Sequence, residues 1–383
     1  MIGSLVVVLT CLACAAYQYQ KGTLFKAFVT IIITLCASII AFAYFEPLAN
    51  IFISRSDDTR LPALVPWAQP LSFVLLLVLA FATLQTAVTY LTRQPVDFGL
   101  LPERVGRIVC GIILGILASG LLLTALVMAP LPSEYPYGRF DPRRPDAERP
   151  KTVLFNADAF ATGWFSILSR GALSGKRSFA ALHPDFLDQA FLNRLNYSKD
   201  TSITTSSNAV ELPRRVGNQK AAAAWPAPSA LKDTDARPIP TKPAHSLIIV
   251  RIGIKKSALE DAGKFTLAQL RLVCKPRGRA ENPLAGKAVN AYPIGYVEAP
   301  DQLLIKKLTD RIELKRFDFE ENASARFIDF AFYVPNGYAP TLVQFKQNTL
   351  AAVPGLVETA EAPDPVPFTQ RSDRPKTDDE KAG

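Results

Sequence analysis

The sequence predicts a membrane protein: a four-helix transmembrane bundle (α) followed by a soluble region with a helical pair and a β-sandwich. Three observations predict it. Four runs in the first third are apolar and almost free of charge. Charge is unevenly spread: of 43 Lys+Arg and 34 Asp+Glu, residues 1–130 hold seven basic residues (Lys21, Lys26, Arg55, Arg60, Arg93, Arg104, Arg107) and five acidic ones (Glu46, Asp57, Asp58, Asp97, Glu103). Beyond residue 244, β-branched and aromatic residues recur in short runs divided by Gly, Pro and Asn. The 383 residues allow two or three domains. A single water-soluble globule is excluded, because the first third offers no surface for water. A disordered chain is excluded on the same ground.

The apolar runs are 2–19, 24–45, 71–91 and 108–129. About 20 residues at 1.5 Å rise cross a hydrocarbon core of about 30 Å. The first run has no basic residue ahead of it, unlike a signal peptide. Gln20-Lys21-Gly22-Thr23 joins the first two runs as a tight turn. Gly22 permits the reversal, while Lys21 and Lys26 can reach lipid phosphates. Arg104 and Arg107 can do the same below the fourth helix. The middle connection carries Pro47, Pro62, Pro66 and Pro70, and Trp67 stands at interface depth before the third run.

Helix four carries Gly111, Gly115 and Ser119 at i, i+4 and i+8, a face free of bulk that admits a second backbone. That second backbone is either another helix of the bundle or helix four of a second copy, giving a homo-oligomer. Gln85, with Thr83, Thr86 and Thr89, offers hydrogen bonds between helices. Mid-membrane Asp, Glu, Arg and His are lacking, which disfavours an ion-coupled transporter. A passive pore stays open. With both chain ends outside, Lys21, Lys26, Arg93, Arg104 and Arg107 lie at the cytoplasmic tips, against Arg55 and Arg60 in the outer loop. Arg139, Arg143, Arg144 and Arg149 are set aside, because long segments translocate largely regardless of charge.

Two of these segments carry a family resemblance. Tyr19-Gln20-Lys21-Gly22-Thr23-Leu24-Phe25-Lys26 resembles the basic-Gly turn after the first helix of the colicin V production (CvpA-like) membrane proteins. Glu103-Arg104-Val105-Gly106-Arg107-Ile108-Val109-Cys110-Gly111-Ile112-Ile113-Leu114-Gly115 resembles that family's acidic-Arg-x-Gly entry into a Gly-rich fourth helix. The four-helix layout matches as well, over about residues 1–130. The family usually has a second Gly where this chain has Arg107, and often an acidic residue soon after the first turn, which is lacking here. The resemblance implies a multi-pass protein of the bacterial inner membrane, linked to colicin V export, toxin biosynthesis and envelope maintenance, with an outward-facing tail. Some relatives carry an extracytoplasmic serine protease. The resemblance names no reaction.

In the polar part, residues 131–151 form a Pro/Arg-rich stalk. Residues 152–197 are helical, with apolar patterns at Leu154, Phe155, Ala159, Trp164, Phe165 and Leu168 and again from Phe179 to Leu195. This pair either lies on the membrane face or caps the next domain. Residues 198–243, rich in Ser, Thr and Pro, read as a disordered linker. Residues 244–355 hold several short strands without long helices between them, hence a sandwich. Its last runs, Phe330 to Pro335 and Leu342 to Phe345, resemble the closing hairpin of an immunoglobulin-like domain. Residues 356–383 read as a disordered tail.

Chemistry is sparsely signalled. Cys11, Cys14, Cys36 and Cys110 lie in apolar runs and only Cys274 in the polar part, so no disulfide framework can be drawn there. Two histidines are too few for most histidine metal sites. His183 reads as a helix-start residue and His245 as a strand-start residue. Gly171-Ala172-Leu173-Ser174-Gly175 is not a nucleophile elbow. Neither a catalytic, a cofactor nor a metal residue is predicted. The basic excess of the polar part beyond residue 130 is spread among interleaved acids, which argues against nucleic acid as a partner. The expected partners are the lipid bilayer, a second copy, and an extracytoplasmic protein or envelope polymer. The leading reading is a non-enzymatic envelope protein. The alternatives are a passive channel or export accessory, and a membrane-tethered hydrolase.

Overall fold

The computed structural model describes residues 2–54, 62–91, 99–173, 178–195, 197, 201–213, 222–278 and 286–369. The chain divides between Tyr197 and Ser198 into two compact units. In the first, α1 (Ile2–Lys21), α2 (Leu24–Ser54), α3 (Ala68–Leu91) and α4 (Leu100–Met128) are helices long and apolar enough to cross a membrane. Their outward faces carry uncovered Ile2, Leu5, Leu9, Leu12, Leu75, Leu79, Ile112 and Ile113. Apolar surface of that extent needs lipid or protein against it.

Two helices overrun the expected spans. α2 has 31 residues and continues past Glu46 and Pro47 to Ser54. At 1.5 Å per residue it is about 46 Å long, well beyond a hydrocarbon core. Its last turns hold because Ala49 and Ile53 pack on Ala68 and Val65. α4 begins at Leu100, a full two turns before the apolar run, so that Glu103, Arg104 and Arg107 are helical. Arg55, Arg60 and Arg93, used for the charge balance, lie outside the described residues.

The stalk and helical pair belong to this same unit. α5 (Ala157–Arg170), α6 (Phe179–Leu182) and α7 (Phe186–Asn193) share a core with the bundle. The Phe42 ring of α2 is its centre, 4.9 Å from Phe73 of α3, 5.1 Å from Phe165 of α5 and 5.4 Å from Phe179 of α6. The expected extended stalk is folded back instead: Tyr137 and Phe140 are buried, and the Gly3 N–H donates to the Pro136 carbonyl at 2.9 Å. The start of α1 and the segment after α4 therefore lie at one end of the bundle.

The second unit is sheet-rich. Its strands are β1 (Val210–Glu211), β2 (Ala224–Pro226), β3 (Lys232–Asp233), β4 (His245–Lys255), β5 (Lys264–Thr266), β6 (Leu270–Pro276), β7 (Val289–Ala291), β8 (Pro293–Ala299), β9 (Gln302–Ile305), β10 (Arg311–Glu313), β11 (Ala325–Pro335), β12 (Tyr338–Phe345) and β13 (Thr349–Ala352), with a single-turn helix α8 (Leu259–Ala262). One sheet has the order β1-β4-β11-β8-β9-β3, with β2 also on β4; a second has the order β13-β12-β6-β7; β5 and β10 form a ribbon. Period-2 alternation places Ile248, Val250, Ile252 and Ile254 of β4 in one core with Phe330 and Phe332 of β11, Leu272 of β6 and Phe345 of β12. The opposite face of the larger sheet, at Ile249 and Ala331, is covered by Trp225, Leu231 and Val357.

Two expectations are corrected here. Within 198–243, the described residues are no free linker: β1 pairs with β4 at Val210↔Ile254 and β2 at Trp225↔Ile249, so both stitch one edge of the sheet. Of the expected disordered tail, residues 356–369 lie on the sheet unit, with Phe368 buried against Tyr296. Residues 370–383 lie outside the described residues.

Candidate functional site

The turn motif converges on one contact. The Gly22 N–H donates to Gln18 O and closes α1. Thr23 then caps α2, its Oγ1 accepting from Lys26 N at 3.2 Å. The Leu24 N–H, another donor unsatisfied within the helix, goes to Glu103 Oε1 on α4 at 2.9 Å. Arg107, one turn on, holds the same carboxylate oxygen at 2.8 Å. Gly106 gives Leu24 its room: a Cβ there would meet Leu24 Cδ1 at 2.6 Å. Sequence spacing does not mark Glu103 as a site residue, although it is the group that joins the two halves of the motif. Lys21, Lys26 and Arg104 are exposed around this contact. Gly22 is needed for close approach to Gln18 rather than for a left-handed conformation.

The small-residue face of α4 is filled by α1. A Cβ at Gly111 would meet Ala15 Cα at 2.6 Å, and one at Gly115 would meet Cys11 Cα at 2.5 Å. Of the two readings of this face, packing within the bundle is the one realised; an oligomer seam there would need α1 displaced. Ser119 is buried and donates to Ile116 O. The threonines of α3 do not join helices: Thr83, Thr86 and Thr89 each donate to the carbonyl four residues back. Gln85 Oε1 is buried without a hydrogen-bond partner.

At the other end of the bundle lies a polar cluster that sequence spacing does not reveal. His183 is 4% exposed and is not a helix-start residue but the cap that ends α6. Its Nε2 lies 2.6 Å from Glu46 Oε1 on α2, and its Nδ1 lies 2.8 Å from Gln189 Oε1 on α7. The ring thus ties three helices, with both nitrogens engaged. Beside it, Arg139 donates to Asp188 at 2.5 Å, and the Tyr137 hydroxyl donates to the buried Asp158. Asp158 stands in the first turn of α5, where negative charge is favoured. Burial, then the adjacent carboxylate, pushes the Tyr137 phenol well up. Burial also raises the Asp188 carboxyl, Arg139 offsetting only part of it. Arg139, Thr162, Ser166, Arg170, His183 and Asp188 line a cleft of about 270 Å³.

Arg194, fully buried, closes the end of α4. It donates to Leu126 O, Ala129 O and Tyr135 O. A cation at a helix C-terminus meets the negative end of the dipole and satisfies carbonyls the helix leaves open. Burial pulls its pKa down to about 10.

In the sheet unit, Arg251 of β4 grips Asp329 of β11 through two bonds of 2.7 and 2.8 Å. Trp225 lies under the guanidinium at 5.2 Å, and the Val366 N–H donates to the same carboxylate. His245 donates from Nδ1 to Pro243 O at the start of β4, as a structural residue. An open cleft is lined by Glu211, Lys255, Lys256, Ser257, Arg316 and Ser324. It presents three cations against one carboxylate, and Lys255 lies 4.0 Å from Glu211. Comparison of the chain with protein-family models, with curated proteins and with solved structures finds no match in any of the three.

Proposed function

We propose that this chain is a non-enzymatic protein of the bacterial inner membrane, whose bundle anchors it and whose sheet unit binds an acidic protein or envelope polymer outside the membrane. The observation that carries this reading is the cleft with Lys255, Lys256 and Arg316 set against Glu211 alone. Lys256 and Arg316 are exposed, and Phe317, next to Arg316 in the chain, is 61% exposed, which offers charge steering with an aromatic side chain close by in sequence. Two sheets on a shared core support an immunoglobulin-like reading of the module; the parallel β3–β9 pair and the β5–β10 ribbon are departures from the usual plan. The Glu103 contact with the Gly22 turn supports kinship with the colicin V production proteins, because it joins the two segments that carry the resemblance.

The test uses the full chain in nanodiscs. Its co-sedimentation with isolated envelope polymer, and its binding to an acidic model protein, are compared with those of Lys256→Glu/Arg316→Glu. Charge reversal is expected to weaken binding by about tenfold or more, with a matching loss of salt dependence. Binding that the reversal leaves unchanged would place recognition elsewhere.

A further inference from the structure

α5 has three faces. Ala157, Ala161 and Phe165 are buried in the bundle core. Thr162, Ser166 and Arg170 line the polar cleft, whose rim Ile167 also touches. The third face, at i, i+4 and i+7, is Phe160, Trp164 and Ile167, with Phe160 50% and Ile167 66% exposed. Phe155 just before the helix and Leu173 just after it are exposed too. A water-exposed helix would not carry such a stripe without something against it.

The depth of α5 identifies what covers it. A Cβ at Gly120 of α4 would meet the Ala157 carbonyl oxygen at 2.1 Å and Ala161 Cβ at 3.0 Å, so the first turn of α5 crosses α4 at Gly120. On the other side of α4, Ala15 lies at Gly111 and Cys11 at Gly115. That antiparallel register sets Leu5 level with Leu121 and Ile2 level with Thr124. Leu5 and Ile2 are 57% and 51% exposed on the outer face of α1. The uncovered apolar belt of the bundle therefore reaches as far along α4 as the first turn of α5, one residue of rise being only about 1.5 Å.

We infer that α5 is an interfacial helix of the membrane: its Phe160–Trp164–Ile167 face continues the lipid-facing belt and lies in the acyl chains of the leaflet at that end, while the exposed Arg170 reaches the headgroups and Thr162 stays buried against the protein. Polar and apolar faces of one helix divided in this way fit the boundary between headgroup and hydrocarbon. The inference rests on the bundle crossing a bilayer.

The test places p-benzoylphenylalanine at Phe160, at Ile167, at Leu9 as a site within the bundle belt, and at Arg170 as a polar site. The full chain is reconstituted in phosphatidylcholine–phosphatidylglycerol vesicles carrying radiolabelled lipid, and irradiated. Label on the monomer from positions 160 and 167, comparable with Leu9 and about tenfold above Arg170, is expected. Crosslinks from 160 and 167 to a second copy, or no label there while Leu9 is labelled, would overturn the inference. No label at Leu9 either would instead sink the bundle reading itself. All four sites are exposed, so the probe disturbs no packed core.

Discussion

Asp329 has no exposed surface, and its charge is held by Arg251, by the Val366 N–H and by its place between two strands. Removing the guanidinium alone leaves a carboxylate buried without a counter-charge. Arg251→Ala is therefore expected to cost about 3–5 kcal/mol. Trp225, stacked under the guanidinium, reports the change, and the urea midpoint followed by tryptophan emission gives the magnitude. The double variant Arg251→Met/Asp329→Leu is expected to recover most of the loss, since it removes both charges together. A single variant as stable as the parent would mean that the carboxylate takes up a proton or water at little cost. The Arg139–Asp188 pair of the first unit obeys the same logic, opposite charges from distant parts of the chain meeting where water is scarce, and the neutral Tyr137 hydroxyl supplies a hydrogen bond to the buried Asp158 beside it.

Helix packing depends on what is missing rather than on what is present. At Gly115 the backbone of α1 comes so close that a single Cβ would sit 2.5 Å from Cys11 Cα, with no flexible side chain to give way. Gly115→Leu is expected to destabilise the bundle by about 1–3 kcal/mol or to drive α1 off α4. Thermal aggregation of the detergent-solubilised chain, compared with Ile113→Leu on the exposed face, separates this from a general effect. The helices themselves are legible in the sequence, because lipid demands about 20 apolar residues in a row and few other structures do. Their overrun is not. Glu46 and Pro47 read as an end, and the contacts that extend α2, from Ile53 to Ala68, join residues on different helices. The Ser/Thr/Pro-rich stretch before residue 244 hides its strands for a related reason: strands of two or three residues carry no periodicity, and their stability comes from the edge of β4. At the sites, Gly22, Gly106 and Gly111 are legible as small residues in a pattern. The His183–Glu46 pair spans 137 positions, and no local spacing marks it.

Four membrane crossings would set both ends of the first unit on one side, whichever way it is inserted. The Gly3 N–H reaches the Pro136 carbonyl at 2.9 Å, so four helices long and apolar enough to cross a membrane bring the chain back to the end of the bundle where it began. Reporters fused before residue 2 and after Tyr197 are therefore expected on one side of the membrane. Which side is a matter of charge. Lys21, Lys26, Arg104 and Arg107 all gather where α1 turns into α2 and where α4 begins, and basic residues near short loops stay in the cytoplasm. A periplasmically active phosphatase joined at either place is expected to be active, and a cytoplasmic fluorescent reporter at either place dark. Moving charge tests the cause: Lys21→Gln/Lys26→Gln/Arg104→Gln is expected to give a mixed population of orientations, as the bias toward the cytoplasm shrinks. Opposite results at the two ends would remove an odd number of spans from the bundle. A bright fluorescent reporter at both would keep the four spans but turn the molecule over, and with it place the Lys255–Lys256–Arg316 cleft in the cytoplasm.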